Sequence, residues 1–244
     1  MRLKVIGNID KEKMPLSYRT MVMSFIKKAI ELGDKECFKE LYYYKDKKNK
    51  KIKPFCFSVY LNDFKIINDQ VQVNGDISIT ISTADYNLGI VLYNGLLKIK
   101  EHSYKDITFI KNRVILEKES KVTTKEAIFK TLSPIYIKDK NNKVLSTDNP
   151  KYVEELNYIS NLLLKTYRGY GLTESLEFTP LQMKKTVIKE KIKDFIKNSN
   201  KEFIYINGYL GIFKLKGNIE DLQLLMELGI GFRRSEGFGL VDLA

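Results

Sequence analysis

NGYLGIFKLKGNIEDLQLLMELGIGFRRSEGFGLV, Asn207 to Val241, reads in one pass as a strand, a capped helix and a glycine-rich return to a last strand. Asn218 is a natural N-cap, and Leu222, Leu225 and Met226 form an apolar stripe that stops at Gly229. The segment that follows, GIGFRRSEGFG from Gly229 to Gly239, admits two readings. One is a tight helix-to-strand turn that needs glycine for geometry alone. In the other, Gly231, Gly237 and Gly239 let the backbone approach a ligand, amides form an anion-binding nest, and Arg233, Arg234 and Ser235 meet phosphate. It is not a Walker A loop, because no Gly-Lys-Ser/Thr completes it. Nor is it a dinucleotide-binding turn, because its glycines follow a helix rather than a strand.

Outward from this stretch the second half of the chain has a regular order. Ala127–Ile137 is strand-like, and Asn149-Pro150 opens a helix to about Tyr167 with Leu156, Ile159, Ser160 and Leu163 inward. Strands are expected near Glu174–Phe178, Lys184–Phe195 and Phe203–Leu215. The first half repeats the order. A strand over 2–7 leads to a helix from Ser17 to Leu32, closed by Gly33-Asp34, and a shorter helix from Lys35 to about Tyr44. After a basic loop, KDKKNKKIK (45–53), Pro54–Leu61 alternates as a strand. Phe64–Val73 and Asp76–Ser82 follow, with Asn74-Gly75 as a hairpin turn. Ser82 or Thr83 then caps a helix to Lys98, and Tyr104–Glu117 is strand. The expected fold class is α+β: two tandem ferredoxin-like βαββαβ domains, over residues 1–121 and 122–244.

Composition bounds the function. A net charge of +12 and a pI near 9.4 predict attraction to a polyanion, most simply nucleic acid. Neither a membrane-spanning apolar run nor a secretory leader is present, so a cytoplasmic protein with no membrane partner is expected. Cys37 and Cys56 are too few for a cysteine metal site, and no metal or other cofactor is expected.

The 207–241 stretch resembles the closing motif of the CRISPR repeat-RNA endoribonucleases of the RAMP superfamily. KPFCFS (53–58) and TLSPIYI (131–137) resemble the first-domain and second-domain strands of that family, in the right order. The resemblance implies a metal-independent cut within precursor CRISPR RNA, in which a ribose 2′-OH attacks the adjacent phosphorus. The products would carry a 2′,3′-cyclic phosphate and a 5′-OH. It also implies CRISPR repeat RNA as the partner, with CRISPR effector-complex proteins and a second copy of the chain as further candidates. The alternative within the same family is a catalytically inactive RAMP protein that binds repeat RNA or serves as a subunit of an effector complex. An RRM-type RNA-binding protein is disfavoured, since no RNP1-like segment is found.

Where many members of that family carry a histidine, this chain has Leu41-Tyr42-Tyr43-Tyr44. A tyrosine is a poor base unless neighbouring cations depress its pKa, and lysines flank this one on both sides. The expected catalytic residues are therefore Lys28 and Lys51 as cations or acid, with Tyr42 contacting the 2′-OH. Lys27, Lys48 and Lys50 are expected beside them on RNA, and Lys185 and Lys189 of the basic stretch TVIKEKIK (186–193) and its flank are expected to clamp the substrate. That stretch reads equally well as a solvated edge whose lysines deter aggregation. The single histidine, His102, is an alternative base by its titration near neutrality, but it lies far in sequence from the expected site and reads as an incidental loop residue.

Overall fold

A computed structural model of the chain describes residues 1–44, 47–49, 51–190 and 204–244. Its contacts divide the chain into two units, Met1–Glu119 and Ser120–Ala244.

The first unit runs β1 (Arg2–Ile9), β2 (Lys13–Pro15), α1 (Arg19–Gly33), α2 (Lys35–Tyr42), β3 (Tyr43–Tyr44), β4 (Lys47–Lys48), β5 (Cys56–Leu61), β6 (Phe64–Ile67), β7 (Gln70–Val73), β8 (Ile77–Ser82), α3 (Tyr86–Lys98), β9 (Glu101–Tyr104) and β10 (Ile107–Glu117). Among the described residues its main sheet has the antiparallel order β5-β8-β1-β10-β9. The four ferredoxin strands are β1, β5, β8 and β10, and β9 extends the edge. The inner stripe of α1 (Met21, Val22, Phe25, Ile26, Ala29, Ile30) buries against Leu3, Val5, Ile79 and Phe109 of this sheet.

Several local expectations change. Phe64–Val73 is itself a hairpin, because Asn68 and Asp69 both take positive φ (49° and 60°), as a type I′ turn requires. With β2 this hairpin forms a separate three-stranded sheet, so Asn74-Gly75 does not join β7 to β8 as a hairpin. The cap of α3 is Asp85, whose carboxylate accepts from the Leu88 amide at 3.0 Å, rather than Ser82 or Thr83. Gly33 closes α1 without a positive φ, and Asp34 is extended and caps α2. Gly33 is needed for packing instead: a Cβ there would lie 2.0 Å from the Val91 carbonyl oxygen, and one at Gly95 would lie 1.7 Å from that of Ala29. The backbones of α1 and α3 touch at these two positions.

The second unit runs β11 (Glu126–Thr131), α4 (Lys151–Arg168), β12 (Glu177–Glu190), β13 (Ile204–Lys216), α5 (Ile219–Leu228) and β14 (Val241–Leu243). Its antiparallel order, β12-β13-β11-β14, repeats the ferredoxin arrangement. The two strands expected between 174 and 195 are one long strand, broken only by a register shift at Pro180/Gln182. Because β12 is an edge, the missing proline N–H costs no ladder bond. Residues 191–195 and Phe203, also expected as strand, lie outside the described residues. Tyr152, Leu156, Ile159, Leu163 and Leu164 of α4 fill the core with Phe129, Phe213 and Leu215.

Candidate functional site

In the first unit Lys27, Tyr42 and Lys53 come together. Lys27 stands on the outer side of α1, and Tyr42 is the last residue of α2, held by Phe38 one turn earlier (ring centroids 5.1 Å apart). The Lys27 ammonium lies 5.0 Å from the Tyr42 ring centroid and that of Lys53 lies 5.5 Å from it. The quadrupole of one ring thus supports two cations. Lys53 is fixed further by donating to the Asn49 and Lys51 carbonyls at 2.9 and 2.8 Å. Asn49 in turn ties the segment to α2, donating from its side chain to the Glu40 carbonyl and from its amide to the Tyr42 carbonyl. Burial, and secondarily the charge of Lys27, lower the Lys53 pKa from its ordinary 10.5.

The expected trio of Lys28, Tyr42 and Lys51 is divided differently. Lys28 is one helix position on from Lys27, pairs with Glu31 at 3.0 Å, and faces the His102 side of α1. Lys51 is exposed and contributes its backbone carbonyl to Lys53. The pKa of the Tyr42 hydroxyl is raised, not depressed: burial dominates, and the Cys37 thiol adds to it. Lys48 is a backbone position on β4, and Lys50 lies outside the described residues.

Lys53 was not among the expected residues. The available signal was its place immediately before Pro54 and the buried Phe55, which anchors it while 45–51 is a hydrophilic run.

His102 sits in strand β9 opposite Phe109 and not in a loop. Its Nε2 lies 3.0 Å from the Ser24 hydroxyl, and its ring meets Phe25 edge-on at 5.8 Å. Burial, then the Lys28 charge, lower its pKa from 6.5.

In the second unit the glycine-rich loop is a packed structure. Gly229, Gly231, Gly237 and Gly239 all have positive φ. A Cβ at Gly239 would stand 1.9 Å from the Ile230 carbonyl oxygen. The amides of Ile230, Phe232, Gly239 and Leu240 donate to Gly239 O, Tyr136 O, Pro134 O and Ser133 Oγ. Three of them are spent on pairing with 133–136 and that of Ile230 on closing the loop, not on a nest. Arg234, only 6% exposed, donates to the Leu228 carbonyl at 2.7 Å and so closes the end of α5. Arg233, itself at φ 59°, is bound to Glu236 at 2.7 Å. Ser235 lies between Arg234 and Glu236 on a 3₁₀ turn. Lys185 and Lys189 lie on edge strand β12, opposite Tyr209 and Tyr205.

Comparison with known proteins puts this geometry in context. Residues 117–243, more than half of the chain, match the family model for CRISPR associated protein Cas6, C-terminal. The chain belongs to the Cas6 family. Solved structures with the same fold include a Cas6-related protein from Pyrococcus furiosus (TM-score 0.83, 20% identity, covering 100% of this chain and 98% of that one). A RAMP protein described as binding different RNA substrates matches at TM-score 0.80 and 22% identity, covering 100% and 99% of the two chains. A CRISPR associated protein Cas6 matches at 0.74 and 21%, covering 100% and 99%. At such identities these three establish the tandem ferredoxin-like fold. A search of curated sequences finds no match. Among the described residues, no helix is long and apolar enough to cross a membrane.

Proposed function

We propose that this Cas6-family chain binds CRISPR repeat RNA and cuts it through attack of a ribose 2′-OH on the adjacent phosphorus. The observation that carries the reading, given the family, is the pair of ammonium groups held against the Tyr42 ring. The attack forms the 2′-oxygen–phosphorus bond, breaks the bond to the 5′-oxygen, and passes through a phosphorane whose added negative charge needs cations. Lys27 and Lys53 supply them. Lys53, with its lowered pKa, is also the proton-transfer group for the 2′-OH or the leaving 5′-oxygen. Lys51 is a further cation at the margin, whereas Lys28 is held in its pair with Glu31. Tyr42 acts through its ring, because its hydroxyl is held protonated.

A second reading, a RAMP protein that binds repeat RNA without cutting it, is favoured by one observation. No imidazole stands with Lys27, Tyr42 and Lys53, since the only histidine packs on the Ser24 side of α1.

The deciding experiment incubates end-labelled repeat RNA with the protein in EDTA, beside a substrate with a 2′-deoxy group at the mapped cut. A single cut abolished by the deoxy group is the expected result. Tight binding with no cut would leave the silent binder, and no binding would overturn both.

A further inference from the structure

The antiparallel pair β12–β13 carries an aromatic and basic ladder that neither the fold nor the Lys27–Tyr42–Lys53 group accounts for. Lys189 stands opposite Tyr205, Val187 opposite Asn207 and Lys185 opposite Tyr209, so these six residues share one face. The reverse face is core: Ile188 and Ile206 are buried against Phe238. On the ladder face Tyr205 is 64% exposed and Val187 57% exposed. The Lys189 ammonium lies 5.9 Å from the Tyr205 ring centroid.

Two features separate this face from an ordinary solvated edge. An edge that only deters aggregation needs charge, and gains nothing from an exposed tyrosine and valine beside it. The lysines also differ along the same two strands. Lys214 and Lys216, near the other end of β13, are ion-paired with Glu126 and Glu177. Lys185, on the ladder face, forms no ion pair among the described residues. Cationic side chains next to an exposed aromatic ring are what a single-stranded nucleic acid requires: phosphate neutralised by lysine, and a base stacked on a π face. A duplex has its bases already stacked and offers none to Tyr205.

The geometry points to this face as a platform for single-stranded RNA, on which one unpaired base stacks on Tyr205 while Lys185 and Lys189 hold the flanking phosphates. The platform rests on the reading that the chain binds RNA and adds to it a preference for an unpaired segment at this place.

The chain contains no tryptophan, so Tyr205→Trp places a single tryptophan, excited selectively near the red edge of its absorption, at the stacking position. The full-length variant is titrated with a single-stranded oligouridylate and with a matched RNA duplex. In parallel, filter binding of repeat RNA is measured for wild type, Tyr205→Ala and Tyr205→Phe. Quenching by the single strand but not by the duplex is expected. Tyr205→Ala should weaken binding of the single strand by about 5- to 150-fold, the usual worth of one stacked base, and Tyr205→Phe should retain it. Repeat RNA bound equally well by wild type and Tyr205→Ala, with tryptophan emission unchanged, would overturn the platform and leave RNA binding intact. Wild type that binds no RNA would overturn the platform together with the reading beneath it.

Discussion

The Lys27–Tyr42–Lys53 group of the first unit and the glycine-arginine loop of the second are both rich in cations, yet the fold uses them in opposite ways. In the first, the Tyr42 ring lies against two ammonium groups, and two backbone carbonyls hold that of Lys53 in place. In the second, one guanidinium is buried on a helix-end carbonyl and the other is paired with Glu236. A carbonyl or an aromatic face positions a cation and leaves its charge available, whereas a carboxylate cancels it. On the proposed function, chemistry belongs to the first region and architecture to the second.

The largest test of that division is kinetic. Lys53→Ala should slow cleavage of repeat RNA by roughly 100-fold or more, while Lys51→Ala should change it less than about threefold. Tyr42→Phe, which keeps the ring, should stay near wild type. Single-turnover rates at saturating protein measure all three, and equal losses at Lys51 and Lys53 would break the distinction. Next in size is Gly239→Ala. A side chain at φ 70°, with its Cβ against the Ile230 carbonyl, should cost about 3 kcal/mol or more, read from the urea midpoint.

Arg234→Met keeps the aliphatic stem and removes the bond to Leu228, leaving a buried carbonyl unpaired. It should cost about 1–3 kcal/mol of stability, with RNA affinity within about twofold of wild type. A large affinity loss at unchanged stability would instead return Arg234 to the RNA. The smallest effect is at His102. Its folded-state pKa lies below 6.5, so below that pH the unfolded chain binds the proton more readily than the folded one. Stability should therefore fall as the pH drops from about 6.5 toward the lower folded value. Denaturant titrations of wild type and His102→Gln should converge in acid and differ in slope with pH, and parallel profiles would refute the assignment.

Local patterns that repeat within one element were legible in the sequence. The stripe of α1, the Asn218 cap of α5 and its stop at Gly229 follow from the 3.6-residue period and from what only a short polar side chain or a glycine can do at a helix end. The order of elements was enough for the tandem ferredoxin-like fold. Turn assignments failed where two signals stood close together. Asn68-Asp69 and Asn74-Gly75 are both good turn pairs, and pairing in a second sheet chose the first.

The sequence by itself determined that the chain is basic, that its elements come in the order of two βαββαβ units, and that glycines close the last helix. Tertiary structure alone decided which cations meet at Tyr42. Lys27 and Lys28 are neighbours in the chain but about 100° apart around α1, so one meets Tyr42 and the other Glu31. Lys53 reaches the same ring across 11 residues of chain because Asn49 folds the intervening segment back onto α2. Charge is a property of the residue, but its availability depends on what the fold places within a few ångströms of it.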